Sequence, residues 1–183
     1  MNVSALAEDF ANIQNIQLRD AVIKYFQDVV PEYFWTVPAS LSGKYHSCFD
    51  AGKGGLVRHT RMCVMVADEL IHLDRFSVVN ADFLCAAMLM HDSFKNGSSG
   101  SHYHADHPRL AADAWTAFAY DAKLPKTIID PIRYAIAWHS GQWSGPSTRE
   151  NFDKPKEYSS IIECAHLADY IASRNIFDRM STL

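Results

Sequence analysis

The chain has 183 residues, 48% of them hydrophobic and 21% charged, with a formal net charge of −4. That length suits one core, and the chain is read as a single domain, 1–183. The charge balance excludes a broad basic surface for non-specific nucleic-acid binding, and the longest apolar run, Phe83 to Met90, is too short for a membrane span.

The opening "MNVSALAEDFANIQ" lacks a basic segment followed by an apolar one, so no signal peptide is expected. Cys48, Cys63, Cys85 and Cys164 form no CxxC pair, and three of them fall in apolar helical patterns. They read as buried thiols in a cytoplasmic protein. "LRDAVIKYFQDVV" puts Leu18, Val22, Tyr25, Phe26 and Val29 on one stripe and stops at Pro31, which predicts a helix. A long loop follows, "PEYFWTVPASLSGKYHSCFDAGKGG", in which only "YFWTV" looks strand-like and in which Lys44 and His46 are candidates for function. From Gly55 the helical period resumes with Leu56, His59, Cys63, Val66, Leu70 and Leu73 on one face.

Asn80 is the expected N-cap of a helix that is apolar nearly all round and ends in His91 and Asp92. "SFKNGSSGSHYHAD" is then a loop, and Pro108 suits the first turn of a helix facing inward through Leu110, Ala111, Ala114, Trp115 and Phe118. Ile132, Ala135, Ile136 and His139 share a face of the next helix, which Gly141 ends. "QWSGPSTRENFDKPKE" is a second irregular loop. The last helix runs from about Glu157 to Arg174, with Ile162, Ala165, Asp169 and Ala172 in register. The predicted fold class is therefore all-α.

His59, His91, Asp92, His139 and Asp169 all lie on or at the end of apolar faces, and His107 opens another helix. Burying so many imidazoles and carboxylates without partners costs several kcal/mol apiece. One divalent cation would remove that cost, accepting lone pairs from neutral imidazoles and cancelling carboxylate charge. Mixed nitrogen and oxygen donors suit Mn, Fe, Co, Ni or Zn, with Mg a weaker fit, and disfavour Ca.

The segments "VRHT", "MHD", "DHP", "AWHSG" and "LADYIASR" resemble, in that order, the motifs of the HD-domain superfamily of metal-dependent phosphohydrolases. The resemblance covers about 54–174, leaving 1–53 as N-terminal helices and a loop packed on that core. It implies a single-domain helical bundle of the HD type with His59, His91, Asp92 and Asp169 as metal ligands. It also implies a second metal at His107 and His139, with Asp92 bridging, so one or two metals per chain. Lys95 matches the lysine of the "HDxxK" form, which would neutralise a substrate phosphate.

The activity so implied is hydrolysis of a phosphoester of a nucleotide or another small phosphorylated substrate. A metal lowers the pKa of its water towards about 7; Lys95, Arg58 and Lys44 would offset charge on the phosphoryl oxygens. Asp92 would act at the metals, and His107 or His139 would assist the leaving group if only one metal binds. "HDSFKNG" lacks the acidic residues of the nucleotidase branch, and the "GYP" extension of cyclic-dinucleotide phosphodiesterases is missing. The substrate is therefore open. A phosphodiesterase or 3′-5′ exonuclease acting on cyclic nucleotides or a nucleic-acid single strand is the alternative. A catalytically silent metal-binding regulatory module is the third, and a homo-oligomer is compatible with each. His102, His104 and His166 are read as non-ligands and Trp115, Trp138 and Phe118 as core aromatics. Trp143 and Tyr103 are read as packing aromatics, with stacking on a base as their alternative role.

Overall fold

The computed structural model describes residues 3–40, 48–100 and 102–174. Among them are eight α-helices and no strand: α1 Ala7–Ala11, α2 Ile16–Asp28, α3 Gly55–Ile71, α4 Ala81–Met90, α5 His107–Asp121, α6 Lys126–Trp138, α7 Pro146–Asn151 and α8 Ser159–Ala172. The all-α expectation holds for the described residues.

Local chemistry explains the starts. The Asn15 carboxamide accepts from Leu18 N at 3.0 Å, and Asn80 accepts from Phe83 N at 3.1 Å, each satisfying one of the free N–H groups of a first turn. The Asp82 carboxylate accepts from Gln14 N at 2.8 Å and Asn15 N at 2.7 Å, which ties the α1–α2 junction to the start of α4. The strand-like 33–37 stretch instead contains a 3₁₀ turn, Glu32–Trp35. With no neighbouring strand to satisfy its backbone, it curls and buries Phe34 edge-on to Phe26.

Two stripes drift from their expected course. On α3, Leu56, His59 and Cys63 are buried, but the buried edge continues through Val64 and Ala67, and Leu73 lies beyond the helix and is 52% exposed. A period of 3.6 rotates a row of three-and-four steps off the contact line within a few turns. On α5, Ala111 and Trp115 are buried while Leu110, Ala114 and Phe118 are half-buried. The second loop holds an unexpected helix, α7, begun by Pro146 and tied to α5 where Asp106 accepts from Ser147 N at 3.1 Å.

Helix α4 sits at the centre, against α3, α6, α8 and α2, while α5 packs on α6. Its residues from Leu84 to Met90 are all buried, as an apolar face running right round a helix requires. Cys63, Cys85 and Cys164 are buried free thiols. Among the described residues, no helix is long and apolar enough to cross a membrane. Leu84→Ala, in the first half of α4, should cost about 2–5 kcal/mol of stability in urea unfolding. It should leave the metal content of the folded protein unchanged.

Candidate metal centre

His91 and His139 occupy the C-cap positions of α4 and α6, where the last carbonyls of a helix lack backbone donors. His91 Nδ1 lies 2.6 Å from Met88 O and His139 Nδ1 2.7 Å from Ile136 O. His107, first residue of α5, repeats the bond with His104 O at 2.8 Å. A carbonyl only accepts, so Nδ1 donates in each case, and a neutral ring then presents a bare Nε2 lone pair. The negative ends of the α4 and α6 dipoles add to the attraction for a cation.

These nitrogens converge on two carboxylates. Asp92 Oδ1 lies 2.9 Å from His107 Nε2 and 3.6 Å from His139 Nε2. Asp92 Oδ2 lies 3.5 Å from His91 Nε2 and 3.7 Å from His59 Nε2. From α8, Asp169 Oδ1 reaches His59 Nε2 at 3.1 Å and His91 Nε2 at 3.8 Å. All six residues predicted as metal ligands therefore meet at one place, from five helices and the turn after α4.

Burial lowers the pKa of His91 to about 3, so its ring is neutral at physiological pH. Burial lowers His107 as well. His139 is pulled down by burial, but its contact with Asp92, the charge of Asp169 and the Ile136 carbonyl together outweigh this and leave it raised. It is the imidazole of this pair on which a proton would rest, 3.3 Å from His107 Nε2. Burial opposes the charged form of Asp92, but Lys95 and His91 outweigh it and hold the carboxyl well below the usual range. Asp169 is held low in the same way, against burial, by its bond to His59.

The donor set fits a transition metal. With metal–ligand bonds of about 2.1 Å, neighbouring donors of one ion lie about 3.0–3.4 Å apart, close to the separations found here. Asp92 Oδ1 is buried and receives no hydrogen bond of good geometry. The site thus brings lone pairs together with too few protons between them. Buried His, Asp and Cys groups here could hold a metal ion: donor atoms of His59, Cys63, His91 and Asp169 lie within 4.8 Å of one another, as do those of His91, Asp92 and His139.

Cys63 is a member that sequence reading placed only among buried thiols. Its Sγ lies 3.5 Å from His59 Nε2 and 3.9 Å from His91 Nε2, and burial first, then the nearby carboxylates, raise its pKa well above normal. Its position one turn after His59, on the same face, was the available signal. Asp50, from the loop before α3, is also buried and lies 3.9 Å from His59 Nδ1; no periodicity marks a loop residue of this kind.

The substrate-binding candidates separate. Lys95, 12% exposed, pairs with Asp92 Oδ2 at 2.5 Å. Its loop is held by Tyr33, whose hydroxyl donates to Gly97 O at 2.7 Å and accepts from Asn96 N at 3.2 Å. Arg58 is not brought to the centre. Its guanidinium donates to Phe49 O, Lys53 O and Ala51 O at 2.6, 3.0 and 2.8 Å and clamps the loop before α3. Lys44 and His46 lie outside the described residues. His166 is not a ligand in this arrangement; its Nδ1 donates to His139 O at 2.7 Å.

A cavity of about 330 Å³ opens over the cluster. Asp92, Asp169, His107, His139 and Lys95 line it, and its wall also includes the 38–40 stretch, Asn96, Tyr103, Ser140 and Ser173. His59 and His91 are fully buried and are not among the lining residues. Comparison with protein families, with curated proteins and with solved structures gives no match.

Purified protein should carry at least one transition metal per chain by elemental mass spectrometry, and His91→Ala or Asp169→Ala should lose it. Removing metal with a chelator and restoring it to a hundred times its Kd should recover about 2.7 kcal/mol of stability. A wild-type melting curve indifferent to metal would contradict the assignment.

Proposed function

We propose that this chain is a metal-dependent phosphohydrolase of the HD type, acting on a phosphoester of a small phosphorylated substrate such as a nucleotide. The observation that carries the reading is the convergence of bare imidazole nitrogens on Asp92 at the floor of an open cavity that also presents Lys95. A structural cluster would have no need of an open mouth.

His59, His91, Asp169 and Asp92 would hold one metal, and His107, His139 and the other oxygen of Asp92 a second. A metal bound there supplies a water acidified towards neutral pH and polarisation of a phosphoryl oxygen. The chain's own groups do the rest. Lys95 faces the cavity while paired to Asp92, so its ammonium can meet an equatorial phosphoryl oxygen without leaving its place. That lysine stays charged: burial lowers its pKa, but Asp92 and Asp169 together outweigh burial and leave it raised. Ser140 Oγ, 3.1 Å from His139 Nε2, donates to that ring when it is neutral. With only one metal bound, the His107–His139 pair would hold a proton within reach of the leaving oxygen.

The test is a hydrolysis panel with Mn, Co, Ni, Mg or Zn added to metal-stripped protein, covering a model monoester, a model diester, nucleotides, cyclic nucleotides and a short single strand. Turnover of monoesters or nucleotides is expected, with Asp92→Ala inactive and Lys95→Ala down about a hundredfold in kcat/KM. Activity confined to the diester and the strand would favour a phosphodiesterase or exonuclease. Silence with every metal and substrate would leave the regulatory metal-binding module. A metal stoichiometry near two that falls to one in His139→Ala would assign that histidine to a second ion.

A further inference from the structure

Exposed aromatics gather around the cavity. Tyr103, Trp143 and Tyr170 are 50%, 55% and 37% exposed. Tyr103 lines the cavity, Tyr170 follows the lining residue Asp169, and Trp143 stands three residues after the lining residue Ser140. None of them is needed to hold the metal donors.

Helix geometry sets the arrangement. On α8, His166 and Tyr170 are four residues apart and share one stripe, which Arg174 extends just past the helix end, while Asp169 and the C-cap residue Ser173 line the cavity beside it. The Trp143 indole lies parallel to the Tyr170 ring, at an interplanar angle of 7° and a centroid separation of 5.8 Å. The Arg174 guanidinium carbon sits 3.9 Å from the centroid of the Tyr170 ring. Gly141, at φ +56°, lets the turn before Trp143 lie flush on α8; a Cβ there would run into the His166 ring. The indole is thus stacked on Tyr170, which in turn carries the Arg174 guanidinium and is the chain neighbour of the cavity residue Asp169.

A flat, exposed π-surface of this kind complements a nucleobase, which stacks by its face whatever its hydrogen-bonding pattern. Resting on the phosphohydrolase reading above, we propose that Trp143 and Tyr170 form a nucleobase subsite. The substrate is then a mononucleotide whose phosphate enters the cavity while its base lies on the indole. Among the described residues, Lys95 is the one lysine or arginine lining the cavity, which matches a single phosphate. A groove that follows a nucleic-acid backbone needs a row of cations.

The test is calorimetric binding to metal-loaded protein of adenosine monophosphate and ribose 5-phosphate, each carried as its methylene phosphonate so that neither turns over. The adenosine compound should bind about tenfold or more tightly than the ribose compound. Trp143→Ala should erase that difference by weakening the adenosine compound alone, and Trp143→Phe should keep most of it. Equal affinities in the wild type, or equal losses for both compounds in Trp143→Ala, would overturn the subsite. A short single strand that binds far more tightly than the mononucleotide would overturn the choice of substrate. Base-dependent binding without turnover of the natural phosphate would support the subsite and sink the hydrolase reading. Turnover of ribose 5-phosphate as efficient as that of adenosine monophosphate would do the reverse.

Discussion

A histidine at the end of a helix can donate Nδ1–H to the carbonyl three residues back, and His91 and His139 both make this bond, as does His107 at the start of α5. The bond fixes both ring orientation and tautomer. Its consequence lies on the other side of the ring. Each Nε2 is turned inward, towards Asp92 and its neighbours, and in the neutral ring it offers a lone pair there. The cluster could therefore hold a cation, which demands that these groups be kept together.

The helical arrangement serves that demand. Helix α4 can be buried all round from Leu84 to Met90 because its polar groups are confined to its two ends, Asp82 in the first turn and His91 and Asp92 where the apolar run stops. The surrounding helices bring their groups to that end: α3 brings His59 and Cys63, α5 His107, α6 His139 and α8 Asp169. Lys95 offsets part of the carboxylate charge from the loop that follows, and Tyr33 fixes that loop by two hydrogen bonds. Charge, burial and chain path reinforce one another here, as expected where local preferences and global fold agree.

Much of this was legible in the sequence. The helical class followed from periodicity, the position of α4 from its continuous apolar run, and the inward histidines and aspartates from their register with apolar neighbours. What was hidden had physical causes. Cys63 reads as an ordinary buried thiol because cysteine is common in cores, and only the fold reveals the imidazoles beside it. Asp50 comes from a loop, where no period marks which side chain turns in. Arg58 looked free to meet a phosphate, yet three loop carbonyls converge on its guanidinium, a choice that depends on loop shape. The 33–37 stretch has the composition of a strand, but no strand among the described residues offers it a partner edge. The parallel stacking of Trp143 on Tyr170 joins residues from two elements and has no signature in either.

The central claim is that the lone pairs around Asp92 belong to a metal ion and not to a shared proton. Anomalous diffraction at the absorption edge of Mn or Zn, from crystals grown with that metal, tests it most directly. The expected result is an anomalous peak within about 2.3 Å of an Asp92 oxygen and of at least two of the inward Nε2 atoms. A featureless anomalous map at full metal concentration, with the His107 and His139 nitrogens still in hydrogen-bond contact, would contradict it.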